Sequence, residues 1–240
     1  MTRMGMKVAV AIVGLLLAGP AAAQMAAPLT CLLVPARTSD IGSDRSGIVI
    51  AVEVTRGDFV EAGDPLVHFD TRLAEADLQV AQITIDGLQE RLGRSEGLLN
   101  RNLISRDEIE ALRTDLALAS AEQARAQIEV ERGTIRAPFA GYVAEVAIAV
   151  GELIGPEPLL RIIEVSELEA ELVFLAGAFG EFSIGQDIAL SVELTQANVA
   201  ASVTAIDPFI DPTSNTFTVR AGIDNSDRAI PAGSSCAVAN

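Results

Sequence analysis

The sequence predicts a mainly β protein carrying an α-helical coiled-coil hairpin, built as a split β-sandwich plus a small β-barrel. Three observations support this. Residues 47–70 and 137–164 repeat one pattern, short β-branched runs broken by Gly-Asp or Gly-Glu turns. Residues 71–132, between them, contain no proline and are rich in Ala, Leu, Glu, Gln and Arg, a composition that favours helix. From residue 166 onward the chain returns to short strands at regular spacing, the mark of a small barrel.

The first residues are a processing signal. Arg3 and Lys7 precede an apolar run, residues 8–18, and Ala21-Ala22-Ala23 offers small residues for cleavage before Gln24. The run falls short of the ~20 residues that span a bilayer comfortably. An uncleaved anchor is the alternative. Cys31 lies too far from the run, after Pro28-Leu29-Thr30, to suit a lipidation site. Removing residues 1–23 takes away two positive charges and no acid, so the formal charge moves from −16 to −18. Such an acidic chain excludes nucleic acid and anionic lipid as partners held by general attraction. An exported, oxidising destination makes a Cys31–Cys236 disulfide an expectation, although sequence alone leaves open whether the two sulfurs meet.

The mature chain then reads as five segments. Residues 24–46 form an N-terminal strand segment, with a strand over 31–34, that joins the barrel. Residues 47–70 are the first half of the sandwich, and 133–165 the second. Gly47-Ile48-Val49 matches Gly141-Tyr142-Val143, and Arg56-Gly57-Asp58 matches Val150-Gly151-Glu152, with Gly57, Gly63, Gly141 and Gly151 expected at tight turns. Residues 71–132 are the hairpin. Leu73, Ala76, Val80, Ile83 and Gly87 form the expected seam of the first helix. Ile109, Leu112, Leu116, Ala119, Gln123, Ala126 and Val130 form that of the second. Ser105-x-x-Glu108 is a capping box that starts the second helix. Residues 166–240 are the barrel, with strands over 168–174, 188–192, 201–206 and 216–223.

Three motifs give the chain a resemblance to a known family. G-x-V-x-x-V-x-V-x-x-G-D-x-V-x-x-G-x-x-L-x-x-x-D runs from Gly47 to Asp70, and T-I-x-A-P-F-x-G-x-V from Thr134 to Val143. I-x-P-x-[IV]-D-x-x-[TS]-[RN]-T-x-x-V-R runs from Ile206 to Arg220, with Asn215 where arginine is usual. In these the chain resembles the RND-type periplasmic adaptors, or membrane fusion proteins, of the HlyD superfamily. The resemblance implies a lipoyl-like (barrel-sandwich hybrid) domain split by the hairpin. It implies a periplasmic adaptor subunit, not an enzyme, that bridges an inner-membrane RND transporter to a TolC-type outer-membrane channel and self-associates into a ring. It also implies a periplasmic location, held at the inner membrane through the transporter. The family's channel-docking element, R-x3-L-x6-S, is matched by Arg94, Leu98 and Ser105. Longer members continue into a membrane-proximal domain, which is expected to be truncated here.

Other classes fare worse. Lipoyl and biotinyl carriers share the split sandwich but need a lysine, and Lys7 is the only one. His68 is the single histidine, best read as structural, and no cluster has metal-ligand spacing, so neither a cofactor nor a metal is expected. No Met- or His-rich tract marks a heavy-metal adaptor. An adaptor of an ABC-type export system, or a structural scaffold, is the alternative function.

Overall fold

The computed structural model describes residues 26–239; the expected signal sequence lies outside them. Among the described residues the strands are β1 (Thr30–Gly42), β2 (Gly47–Val52), β3 (Phe59–Val60), β4 (Pro65–Phe69), β5 (Thr134–Arg136), β6 (Gly141–Val146), β7 (Leu153–Ile154), β8 (Pro158–Leu175), β9 (Asp187–Val192), β10 (Asn198–Ile206), β11 (Thr216–Asp224) and β12 (Cys236–Val238). The helices α1 (Arg72–Leu99) and α2 (Arg106–Glu131) lie between β4 and β5.

The two half-motifs fold into one sandwich around Val49, Leu66, Val67, Phe69, Val143, Leu159 and Ile162, all almost fully buried. Their kinship shows in the backbone. The Gly57 N–H donates to the Val143 carbonyl, and the Val143 N–H returns to Asp58. In the other half the Gly151 N–H donates to Val49, and the Val49 N–H returns to Glu152. Gly57 and Gly151 carry φ of 96° and 90°, values that suit glycine. Gly141 differs from the expectation. It is not a turn residue but lies inside β6, where an added Cβ would meet the Ile163 carbonyl oxygen at 2.5 Å. The residue is small because two strands pack closely there, not because the chain reverses.

The barrel closes in the order β1-β8-β11-β10-β9-β12. β12 returns to β1 through the Leu32–Ser235 bridge and the Leu33 N–H to Ser234 carbonyl bond of 2.9 Å. Cys31 and Cys236 are joined across this seam, with Cα atoms 4.9 Å apart. Leu33, Leu172, Phe174, Leu190, Val192 and Val219 fill the interior. In the β10–β11 turn Asn215 adopts φ 55°, a left-handed conformation that asparagine tolerates.

Two further features depart from the sequence reading. The strands expected on either side of residue 165 are one, since β8 runs unbroken for 18 residues through both units. β1, 13 residues long and not four, pairs with it nearly throughout. The polar stretch Glu164-Val165-Ser166-Glu167 looks like a break but is a bulge within a continuous strand. The second departure is the seam of α1. Ile85 and Ser95 are buried there, and Ala74, Leu78, Ala81, Leu88, Leu92 and Leu99 are half-buried beside them. The expected Leu73, Val80 and Ile83 are 78 %, 63 % and 63 % exposed. Continued toward the tip, their stripe meets Glu90 and Arg94, whereas the observed stripe stays largely apolar for the full helix. The α2 seam is the expected one, with Ile109, Leu112 and Ala119 buried.

Two outcomes follow from this packing. Gly141→Ala should lower stability by about 2 kcal/mol, as overpacking does, read as a shifted midpoint in urea unfolding. Non-reduced mature protein should show no reactive thiol in a denaturing thiol assay. Two reactive thiols would overturn the pairing of Cys31 with Cys236.

Candidate partner-docking site at the hairpin tip

The hairpin stands on a clamped base. The Phe69 N–H donates to the Gly133 carbonyl at 2.8 Å, tying the end of β4 to the chain leaving α2. A Cβ on Gly133 would lie 2.0 Å from Thr71 Cγ2, so the two ends of the hairpin meet at van der Waals distance. Arg132 pairs with Asp44, and the Arg45 guanidinium donates to the Glu129 carbonyl at 3.1 Å, so the β1–β2 loop grips α2. The hydrogen bond to Asp44, with that carboxylate's charge, raises the Arg132 pKa and holds the guanidinium further toward its protonated form. Asp70, hydrogen-bonded by Arg72 at the foot of α1, has its pKa lowered to about 2.

At the far end the turn is built by caps. The Leu98 carbonyl accepts the N–H of Leu103 at 3.1 Å, and the Leu99 carbonyl accepts that of Asn102 at 2.8 Å. With Asn102 at φ 56°, this is a Schellman closure with asparagine at its left-handed position. Ser105 then caps α2, its hydroxyl accepting the Glu108 N–H at 3.2 Å. Near the tip Arg113 bridges the helices to Glu96 at 3.1 Å and also holds Glu110.

These caps bring the three sequence-predicted residues to one end of the rod. Arg94 and Leu98 lie four residues apart in the last turns of α1, one position off the seam, and Ser105 sits where α2 begins. The Arg94 side chain is 70 % exposed and leans on Glu90 at 3.4 Å. Leu98 is 39 % exposed. Leu103, missed in the sequence reading, is 65 % exposed in the same turn. The available signal was its place just after the asparagine that closes α1. The tip therefore offers guanidinium donors, apolar knobs and a hydroxyl at the end of the hairpin. Elsewhere, His68 Nδ1 lies 3.1 Å from Thr134 Oγ1 and its Nε2 3.7 Å from Glu53, within the sheet β5-β4-β2-β7.

A split sandwich, an inserted two-helix hairpin and a following barrel define the class of fold. Residues 37–164 match the CzcB-like barrel-sandwich hybrid domain, and the chain belongs to that family, that of the RND-type periplasmic adaptors. It is 30 % identical over 203 residues to an uncharacterized protein of Haemophilus influenzae, covering 82 % of this chain and 52 % of that one. It is 26 % identical over 215 residues to the nickel-cobalt-cadmium resistance protein NccB of Alcaligenes xylosoxydans, covering 84 % and 54 %. The chain thus spans about half the length of the curated relatives it matches. In fold it is similar to a MacA–MexA chimera containing the Pseudomonas aeruginosa MexA α-hairpin, with a TM-score of 0.77 at 20 % identity over 87 % of this chain and 77 % of that one.

The cap at Asn102 is open to test. Asn102→Val should loosen the tip by about 1–2 kcal/mol, the cost of a left-handed backbone for an L-residue, while Asn102→Gly should leave it intact. Amide exchange at Leu103, whose N–H closes the turn, reads the difference directly.

Proposed function

We propose that this chain is the periplasmic adaptor subunit of a tripartite efflux pump, bridging an inner-membrane RND transporter to a TolC-type outer-membrane channel. The observation that carries this reading is the tip, a capped turn presenting Arg94, Leu98 and Ser105 at the end of a clamped rod. Arg94 would donate to carbonyl groups of the channel, Leu98 would seat as an apolar knob, and Ser105 would add a hydroxyl while holding its own helix. The barrel faces the transporter. Its end remote from the sandwich exposes Leu175, Phe179 and Phe209, an apolar rim suited to a protein partner.

Several copies form a ring around the path of the exported compound. Leu73, Val80 and Ile83 of α1 and Leu118 and Ile128 of α2 lie outside the hairpin's own seam and stay exposed, which supports contact between neighbouring hairpins. The subunit acts in the periplasm, carries out no reaction and needs no cofactor; energy comes from the transporter. Among the described residues no helix is long and apolar enough to cross a membrane, and no group of three or more His, Cys, Asp or Glu is placed to hold a metal ion.

Arg94→Asp should abolish efflux-dependent resistance in cells without a rival adaptor, while export and fold are retained. A photoreactive residue in place of Leu98 should crosslink to an outer-membrane channel in living cells. Unchanged resistance together with no crosslink would remove the tip from the mechanism.

A further inference from the structure

The barrel and the sandwich share β8 and β1, yet the ribbon is irregular where one unit ends and the other begins. Pro35 faces Leu168 and Arg37 faces Glu164, so Ala36 alone stands opposite residues 165–167. Strand β8 is therefore in excess by two residues at the junction. Such a bulge interrupts the ladder and lets the ribbon bend there.

This bulge is pinned by the loop that follows β11. Asn225, 1 % exposed, directs its amide to the Val165 carbonyl at 2.7 Å, and its own N–H donates to the Ser166 carbonyl at 2.9 Å. The same amide donates to the Ile230 carbonyl at 2.9 Å, and its oxygen accepts the Ile230 N–H at 3.0 Å. Residues 225–230 are thus folded into a closed loop resting on the bulge. Inside it the Arg228 N–H donates to the Asn225 carbonyl at 2.7 Å, and Arg228 itself takes φ 56°. Arginine is uncommon in that conformation, which here turns its side chain away from the loop.

That side chain reaches out of the barrel. The Arg228 guanidinium lies 4.2 Å from the ring centroid of Phe59, on β3 of the sandwich, and Phe59 in turn packs edge-on against Tyr142, with centroids 5.2 Å apart. Phe59 and Tyr142 are register partners in the sheet that continues into β8. A barrel loop therefore holds one cation against an aromatic pair of the neighbouring unit, beside the bulge at which the two units meet.

We propose that Arg228 is a releasable latch: its contact with Phe59 holds the barrel at one angle to the sandwich, and residues 165–167 are the hinge on which the units turn when the contact opens. A contact between an exposed cation and a half-buried ring is strong enough to favour one angle and weak enough to be broken by a partner. Its use in passing motion from transporter to hairpin rests on the adaptor reading above, whereas the latch itself belongs to the isolated chain.

The test is a distance distribution between spin labels carried on non-canonical residues at positions 153 in the sandwich and 194 in the barrel, both exposed, in the mature protein with its cysteines untouched. Arg228→Gly removes the guanidinium and relieves the left-handed backbone at once. It should raise the population away from the parent distance about fivefold, and Phe59→Leu should do the same. Arg228→Glu, which sets a negative charge against the negative face of the ring, should raise it at least as much. The double variant Arg228→Gly, Phe59→Leu should equal the single variants, because one contact cannot be lost twice. A parent-like distribution for both Arg228 variants, or additive broadening in the double variant, would overturn the latch. Neither result bears on docking by the tip, which is read from crosslinking at position 98.

Discussion

The β1–β8 ribbon is the constraint on which the rest of the molecule depends. One strand pair supplies a wall to the barrel through Cys31, Leu33, Leu168, Ala170, Leu172 and Phe174, and a wall to the sandwich through Ile41, Leu160 and Ile162. Side chains alternate along a strand, so a slip of one residue between the units would turn one set of apolar residues out to water. The bulge adds two residues to β8, an even number, and parity survives. Leu160 and Ile162 face one core, Leu168 and Leu172 the other, and all four are buried. This is why the irregularity at the junction is tolerated: it permits bending without exchanging inside for outside.

The hairpin depends on the ribbon through its base. Gly133 and Thr71 bring the two ends of the insertion together, and Phe69, whose N–H bonds to Gly133, has its ring in the sandwich core. Asp44 and Arg45, which grip α2, directly follow the end of β1. The direction of the rod is therefore set by residues at the ends of the strands that build the sandwich. Surface ion pairs such as that of Arg132 with Asp44 contribute little to stability singly. Placed at the pivot of a rod, they contribute direction.

Much of this was legible in the sequence, and the divisions between legible and hidden are physical. Turn glycines such as Gly57 and Gly151 declare themselves because the backbone they permit is a local property. The α2 seam could be read because Ile109, Leu112, Leu116 and Ala119 lie on the one stripe of that helix that stays largely apolar. In α1 two stripes compete over the first four turns. The choice between Val80 with Ile83 and Leu78 with Ile85 is made by where α2 lies, which no window of α1 contains. The unity of β8 was hidden because a bulge and a chain break present the same polar residues. The tip triplet Arg94, Leu98 and Ser105 was visible only through the resemblance to a family element, and Leu103 was not, since its exposure follows from the left-handed turn at Asn102. The Arg228–Phe59 contact joins residues so distant in sequence that no local pattern announces it.

These parts fit together as a lever. A helix of 28 residues is about 42 Å long at 1.5 Å per residue, and its clamped base makes rod and sandwich move as one. A tilt of about 10° at the bulge would then carry the tip sideways by about 7 Å, more than one turn of helix. Displacement of that size is enough to make or break the contacts of an arginine and a leucine on a partner, while the β-pairing on either side of residues 165–167 need not change. The stiff elements are held by apolar cores and a disulfide, whereas in the proposed latch the angle between them rests on a bulge and the contact of Arg228 with Phe59. Strong interactions thus maintain the parts, and a weak one sets their relation, which is the arrangement the proposed adaptor role requires.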